Sequence, residues 1–120
     1  MGMVADRRAD KAVFSVDSRG EWARITVTGE LDLTTAPMFK DHLAQAMIGR
    51  VPPRVLVDVS KMRFCDSSAL NEFLRAHKRI SALRGRLVLL SPTDRFTRIL
   101  RTMGLDRVFE ISESPAAVIA

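Results

Sequence analysis

The sequence predicts a single α/β domain: a mixed β-sheet of about four to five strands covered by about four α-helices. Two observations carry that class. Two strand-like segments joined by a glycine turn come first. After them, helix-spaced and strand-like segments alternate as helix, strand, helix, strand, helix, strand, the order of a largely parallel sheet with crossover helices. The size agrees, because 120 residues with 47% hydrophobic content bury roughly two thirds of their unfolded surface, enough for one core and no second domain.

Each element has its own signature. Val13 to Val16, the turn residues Ser18-Arg19-Gly20, and the alternation of Trp22, Arg24, Thr26 and Thr28 against Ala23, Ile25 and Val27 read as a β-hairpin ending at Gly29. Thr34-Thr35-Ala36-Pro37 offers a threonine cap and a proline for the first turn of a helix. Ala36, Phe39, Leu43, Ala46 and Met47 then recur at helical spacing until Gly49. Pro52-Pro53 break the chain, and Val55 to Val59 form a β-branched run suited to a strand covered on both faces. A connecting stretch through Phe64 and Cys65 leads to Asp66-Ser67-Ser68, after which Leu70, Phe73, Leu74, His77 and Ile80 mark one face of a second helix. Leu87 to Leu90 are the next strand. Ser91 as cap, Pro92 at the first helical position and Asp94 three residues on predict a third helix, stopped at Gly104. Val108 to Ile111 are a last short strand, and Pro115 to Ile119 a final helical turn. Residues 1–12 read as a mobile tail and 13–120 as the domain.

Composition excludes several function classes. One cysteine, Cys65, makes neither an internal disulfide nor a zinc site, which fits a reducing, cytoplasmic setting. No apolar run approaches the roughly 18 residues of a membrane span, and the first dozen residues lack the apolar middle of a secretion signal. The net charge of +5 suggests anionic partners until its distribution is read. Residues 1–68 hold 10 basic and 9 acidic side chains, a net +1, and residues 69–120 hold 9 and 5, a net +4. The surplus lies in Arg75, Lys78, Arg79, Arg84 and Arg86 and in the triplet-spaced Arg95, Arg98 and Arg101, a stripe beside the apolar positions Phe96, Ile99, Leu100 and Met103 that reads first as a solvated helix face. With no tyrosine and no recognisable binding motif, nucleic acid is disfavoured as a partner.

No catalytic constellation emerges. Ser67 lacks the flanking glycines of a hydrolase elbow, having Cys65 and Ala69 two residues away on either side. His77 lies ten residues further along the same helix, about 15 Å away, and reads as a packed core residue; His42 reads as an ordinary helix-face histidine. Asp32, Asp58 and Asp66 are isolated carboxylates without a glycine-rich phosphate loop. Cys65 has only Arg63 as a basic neighbour and reads as inert and buried. Thus no enzyme, cofactor or metal is expected. Asp66-Ser67-Ser68 at a strand-to-helix junction reads as helix capping, contributing around 1 kcal/mol. The same junction tolerates a phosphate, because a helix start carries free N–H donors and partial positive charge.

Gly29-Glu30-Leu31-Asp32-Leu33-Thr34-Thr35-Ala36, then Val55 to Ser60 leading into Phe64-Cys65-Asp66-Ser67-Ser68-Ala69-Leu70, and finally Met103-Gly104-Leu105 resemble the STAS domain of bacterial anti-sigma factor antagonists over about residues 13 to 119. The resemblance implies that Ser67 is phosphorylated by an anti-sigma factor that is itself an ATP-dependent serine kinase. It implies a partner switch in which the unphosphorylated chain binds that factor and frees a sigma factor, and a serine phosphatase resets the system. Asp32, Thr34, Asp66, Ser67, Ser68, Ala69 and Asn71 are the implied partner-binding residues, and the state a monomer or weak dimer. Where family members often carry glycines, this chain has Ala69 and Asn71. That departure motivates an alternative, a STAS scaffold or ligand-binding module that is not phosphorylated and serves a larger signalling or transport assembly. Nucleic-acid binding through Arg95, Arg98 and Arg101 is a third reading.

Overall fold

A computed structural model describes residues 10–119. The elements are β1 (Val13–Arg19), β2 (Trp22–Leu31), α1 (Ala36–Met47), β3 (Arg54–Cys65), α2 (Ser67–Ala82), β4 (Arg86–Leu90), α3 (Asp94–Thr102), a 3-10 turn at Leu105–Arg107, β5 (Glu110–Ser112) and α4 (Pro115–Ile119). They form one five-stranded sheet in the order β1-β2-β3-β4-β5. β1 and β2 are the antiparallel hairpin, and the remaining neighbours are parallel. The predicted mixed sheet with four helices is the observed one.

The two sheet faces are built differently. Ile25, Val27, Val55, Val57, Val59 and Leu89 share one core with Phe39 and Leu43 of α1, Phe73 and Ile80 of α2, and Phe96 and Leu100 of α3. Phe73 is the hub, with its ring 4.7 Å from that of Phe39 and 5.7 Å from that of Phe96. The alternate residues Trp22, Leu56 and Val88 form a smaller cluster on the opposite face, with Val118 of α4 packed against it and the Arg86 guanidinium 5.1 Å above the Trp22 ring. Val55 to Val59 are all buried, so β3 is covered on both faces as its composition predicts.

Several expectations are corrected. Gly29 does not end β2. It sits at φ +102°, where an added Cβ would lie 2.8 Å from the Asp10 carbonyl oxygen, and the β2–β3 register shifts on both sides of it while the strand runs on to Leu31. Its partner is the stretch through Phe64 and Cys65, which is strand and not connection: Glu30 pairs with Phe64 and Leu31 with Cys65. The third helix starts later than expected, because Ser91 is held at φ +52° with its N–H donated to the Ser112 carbonyl 2.8 Å away. Thr93 is the cap instead, its hydroxyl accepting the Phe96 N–H at 3.2 Å, and Pro92 stays outside the helix. The last strand is displaced to Glu110–Ser112 by its pairing with Val88 to Leu90. His77 stands at the margin of the core and not inside it, half-buried with its ring edge-on to Phe109 at 5.4 Å. Of the expected tail, residues 1–9 lie outside the described residues, whereas Asp10 pairs with Arg63, Lys11 bridges to Glu30 and Ala12 is buried in the core.

Candidate functional site

The site is assembled where β2 and β3 end side by side. Leu31 and Cys65 are register partners, so the residues that follow them, Asp32 and Asp66, start two adjacent loops at the same height. Both carboxylates are then consumed within the domain. The Asp66 N–H donates to the Leu31 carbonyl at 3.1 Å. Its carboxylate divides: Oδ1 accepts the Ala69 N–H at 3.0 Å, capping α2, and Oδ2 accepts the Leu33 N–H at 3.0 Å, 33 residues away in sequence. Asp66 is therefore both a helix cap and the weld between the β2–α1 loop and the start of α2.

Asp32 organises its own loop in the same way. Its Oδ1 accepts the N–H groups of Thr34 and Thr35 at 3.0 and 3.2 Å and the Thr34 hydroxyl at 2.7 Å, while Oδ2 is paired with the Lys11 ammonium. The Asp32 N–H donates in return to the Thr35 hydroxyl at 2.9 Å. Thr35 thus occupies the position before α1 without capping it, contrary to the threonine cap expected from the sequence; the acceptor for the loop N–H groups is Asp32, a short carboxylate closing a turn on its own backbone. The Lys11 ammonium above all, with the Thr34 and Thr35 donors, outweighs burial and holds the Asp32 carboxyl far below the ordinary carboxylate range.

What this framework leaves outward is small and definite. Ser67, the first residue of α2, is exposed and Ser68 half-buried. Neither hydroxyl has a hydrogen-bond partner among the described residues. Ala69 packs inward against the core, whereas Asn71, one turn on from Ser67, is exposed. Thr34 is exposed as well. Of the residues expected to meet a partner, Ser67, Thr34 and Asn71 are thus presented, the carboxylates of Asp32 and Asp66 are held by partners within the domain, and Ala69 is an internal spacer.

Two apolar neighbours were not singled out from sequence. Leu33, whose N–H hangs on Asp66, is 69% exposed, and Phe64 is 40% exposed with the Arg95 guanidinium 6.0 Å from its ring centre. The signal for Leu33 was present, an apolar side chain in a polar loop with no periodic partner; Phe64 was concealed because its stretch read as a connection. Arg95 is drawn to this edge, while Arg98 and Arg101 continue along the exposed side of α3.

The remaining candidate groups present no reactive side chain at this site. Cys65 is 8% exposed, and burial, with a smaller contribution from the Asp66 charge, pushes its thiol up to about 12, so it is inert as expected. Asp58 lies on the opposite sheet face, 3.0 Å from Arg24. Burial pulls its carboxyl upward, but hydrogen bonds from the Ser60 hydroxyl and N–H and from Arg24 hold it below the ordinary range. His42 places Nδ1 2.7 Å from the Met38 carbonyl and stacks on Phe14. Among the described residues no cluster of His, Cys, Asp and Glu could hold a metal ion, and no helix is long and apolar enough to cross a membrane.

Comparison with known proteins bears on the family and the fold. The family model described as "Mlab, STAS domain" matches residues 14–112. The anti-sigma-B factor antagonist of Listeria monocytogenes is 34% identical over 89 residues, 72% of this chain and 75% of the relative. Among solved structures, an anti-sigma factor antagonist from Mycobacterium paratuberculosis superposes with a TM-score of 0.78 at 19% identity, covering 90% of this chain and 91% of the other. The Bacillus cell fate determinant SpoIIAA in its phosphorylated form gives 0.69 at 20% identity, covering 88% and 96%. At those identities the two superpositions speak for the fold, while the family match and the Listeria relative speak for descent, and together they make the chain a member of the STAS-domain family of anti-sigma factor antagonists.

Proposed function

We propose that this chain works as a partner switch: with Ser67 unmodified it binds an anti-sigma factor that is a serine kinase, releasing a sigma factor, and phosphorylation of Ser67 ends that binding until a serine phosphatase removes the phosphate. The observation that carries this reading is the exposed Ser67 hydroxyl, without a hydrogen-bond partner among the described residues, at the start of a helix whose position is secured by its neighbour Asp66. The kinase supplies ATP and magnesium, the chain contributes only the acceptor hydroxyl, and the exchange takes place in the cytoplasm where a sigma factor acts. SpoIIAA, whose fold this chain shares, is known in a phosphorylated form, which supports the same reading.

The fold accommodates the modification while an interface does not. At the first residue of a helix a phosphate faces unpaired backbone N–H groups and the positive end of the helix dipole, so the added −1.5 to −2 charge costs the fold little. Asp66 already commits both oxygens to amides, and Lys11 neutralises Asp32, which limits repulsion inside the domain. A partner surface that had enclosed Leu33, Phe64 and a neutral hydroxyl would instead have to desolvate the dianion. Each 1.4 kcal/mol of that cost weakens binding tenfold, so a few kcal/mol suffice for a switch.

The test combines the chain, its cognate kinase and ATP. Mass spectrometry is expected to place a single phosphate on Ser67, and pull-down to retain the kinase on Ser67→Ala and lose it at least tenfold on Ser67→Glu. Phosphate on another residue, or equal retention by the two variants, overturns the reading. Asn71, exposed on the same helix face as Ser67, favours a second reading, the scaffold or ligand-binding module that is never phosphorylated; its mark is a Ser67→Ala strain with an unchanged response.

A further inference from the structure

The basic surplus of α2 is not used by the Ser67 site, and the structure shows where part of it goes. Lys40, Leu43 and Met47 follow one another along α1 at helical spacing, and Glu72, Arg75, Ala76 and Arg79 do so along α2. Together with Lys78 they line a groove of about 340 Å³ between the two helices. Its floor is apolar, made by Leu43, Met47 and Ala76; its rim holds four cations, Lys40, Arg75, Lys78 and Arg79, against the single acid Glu72. Glu72 is mostly buried and lies 3.7 Å from Arg75. Lys40, Lys78 and Arg79 have no ion-pair or hydrogen-bond partner among the described residues, so the rim keeps an uncompensated positive charge over an apolar strip.

We propose that this groove docks an acidic amphipathic helix of a partner protein, with apolar side chains at one- and two-turn spacing on the floor and carboxylates meeting the rim. Charge complementarity selects the sign, and the rest of the geometry selects the class. The volume is at the low end of small-molecule clefts, and half of the lining is cationic with no aromatic member, whereas a small-molecule site is predominantly apolar and aromatic. A concave, two-helix groove suits a rod better than a lipid surface. Its lining contains no aromatic ring on which a nucleic-acid base could stack. Arg75 and Arg79 lie eight and twelve residues beyond Ser67 on α2, about 12 and 18 Å along the axis, beyond a Debye length of about 8 Å at physiological salt. At that separation the two arginines are largely screened from the charge state of Ser67.

The probe is a fluorescein-labelled acidic peptide of roughly five helical turns with leucines along one face and glutamates on both flanks, set against a scrambled peptide of the same composition. Fluorescence anisotropy on the intact chain is expected to show micromolar binding of the patterned peptide, at least tenfold tighter than the scrambled one and weakened by added salt. The surface variant Arg75→Glu/Arg79→Glu and the floor variant Met47→Glu are each expected to weaken it tenfold or more, with circular dichroism melts verifying that both fold. Ser67→Glu is expected to leave it within twofold, so the groove and the phosphoacceptor succeed or fail separately. Equal binding of the two peptides, no binding, indifference to both groove variants, or a preference for phosphatidylglycerol vesicles, dodecanoate or a short DNA duplex over the patterned peptide overturns the proposal.

Discussion

Asp66 is the residue on which the site's geometry rests, and Asp66→Ala measures by how much. The substitution removes two acceptors at once: the one that caps α2 at Ala69 and the one that ties the Leu33 N–H, each at 3.0 Å. A lost helix cap costs about 1 kcal/mol. The Leu33 amide is exposed enough for water to replace the carboxylate, so its loss adds about 1 kcal/mol, the net worth of an ordinary hydrogen bond rather than of a buried charged one. The sum is about 2 kcal/mol. A domain of this length unfolds with an entropy of roughly 0.25 kcal/mol/K, which converts that loss to a fall of about 8 °C in Tm. Asp66→Asn keeps one acceptor and is expected to lie near half of that. Thermal melts by circular dichroism give the magnitudes, and amide exchange at Leu33 reports the weld directly, since it is expected to accelerate in both variants if Asn keeps the Ala69 cap. A fall of less than 2 °C for Asp66→Ala, or unchanged exchange at Leu33, would refute the view that this carboxylate joins the β2–α1 loop to the start of α2.

Two further expectations concern charge and the thiol. The folded-state carboxyls of Asp32 and Asp58 lie below their ordinary value of 3.8, so they contribute stability that is complete above about pH 4 and is lost as pH falls through the lower folded values; in urea melts between pH 7 and pH 2.5, Asp58→Asn should lose stability at pH 7 and show a shallower decline on acidification, and an unchanged slope would exclude Asp58 as a source. Cys65, with its thiol raised to about 12 and its side chain buried, should react with a disulfide reagent at pH 8 at least about a hundredfold more slowly than a free thiol and at the ordinary rate in denaturant; fast labelling of the folded chain would show that the end of β3 opens.

Short-range chemistry was legible in the linear chain, and the partnerships across loops were not. The periods of Phe39, Leu43 and Ala46, of Leu70, Phe73 and Ile80, and the continuous Val55-Leu56-Val57 run predict helices and a doubly covered strand because the repeats of 3.6 and 2 residues are properties of the backbone itself. The Asp-Ser-Ser junction announced a helix start for the same reason. By contrast, whether Phe64 and Cys65 are strand or connection depends on Glu30 and Leu31 lying alongside to take their hydrogen bonds, and whether Ser91 caps a helix depends on Ser112 claiming its N–H. The assignment of Asp32 and Asp66 as partner contacts shows the same division: the residue types mark the site, yet the direction in which each carboxylate points was settled by an amide or ammonium far away in sequence, Leu33 for Asp66 and Lys11 for Asp32. Sequence by itself thus determined the α/β class, the main helices and strands and the position of the phosphoacceptor candidate Ser67. Only the tertiary structure decided which side chains remain free to meet a partner, because exposure and hydrogen-bond satisfaction depend on what the rest of the chain brings alongside.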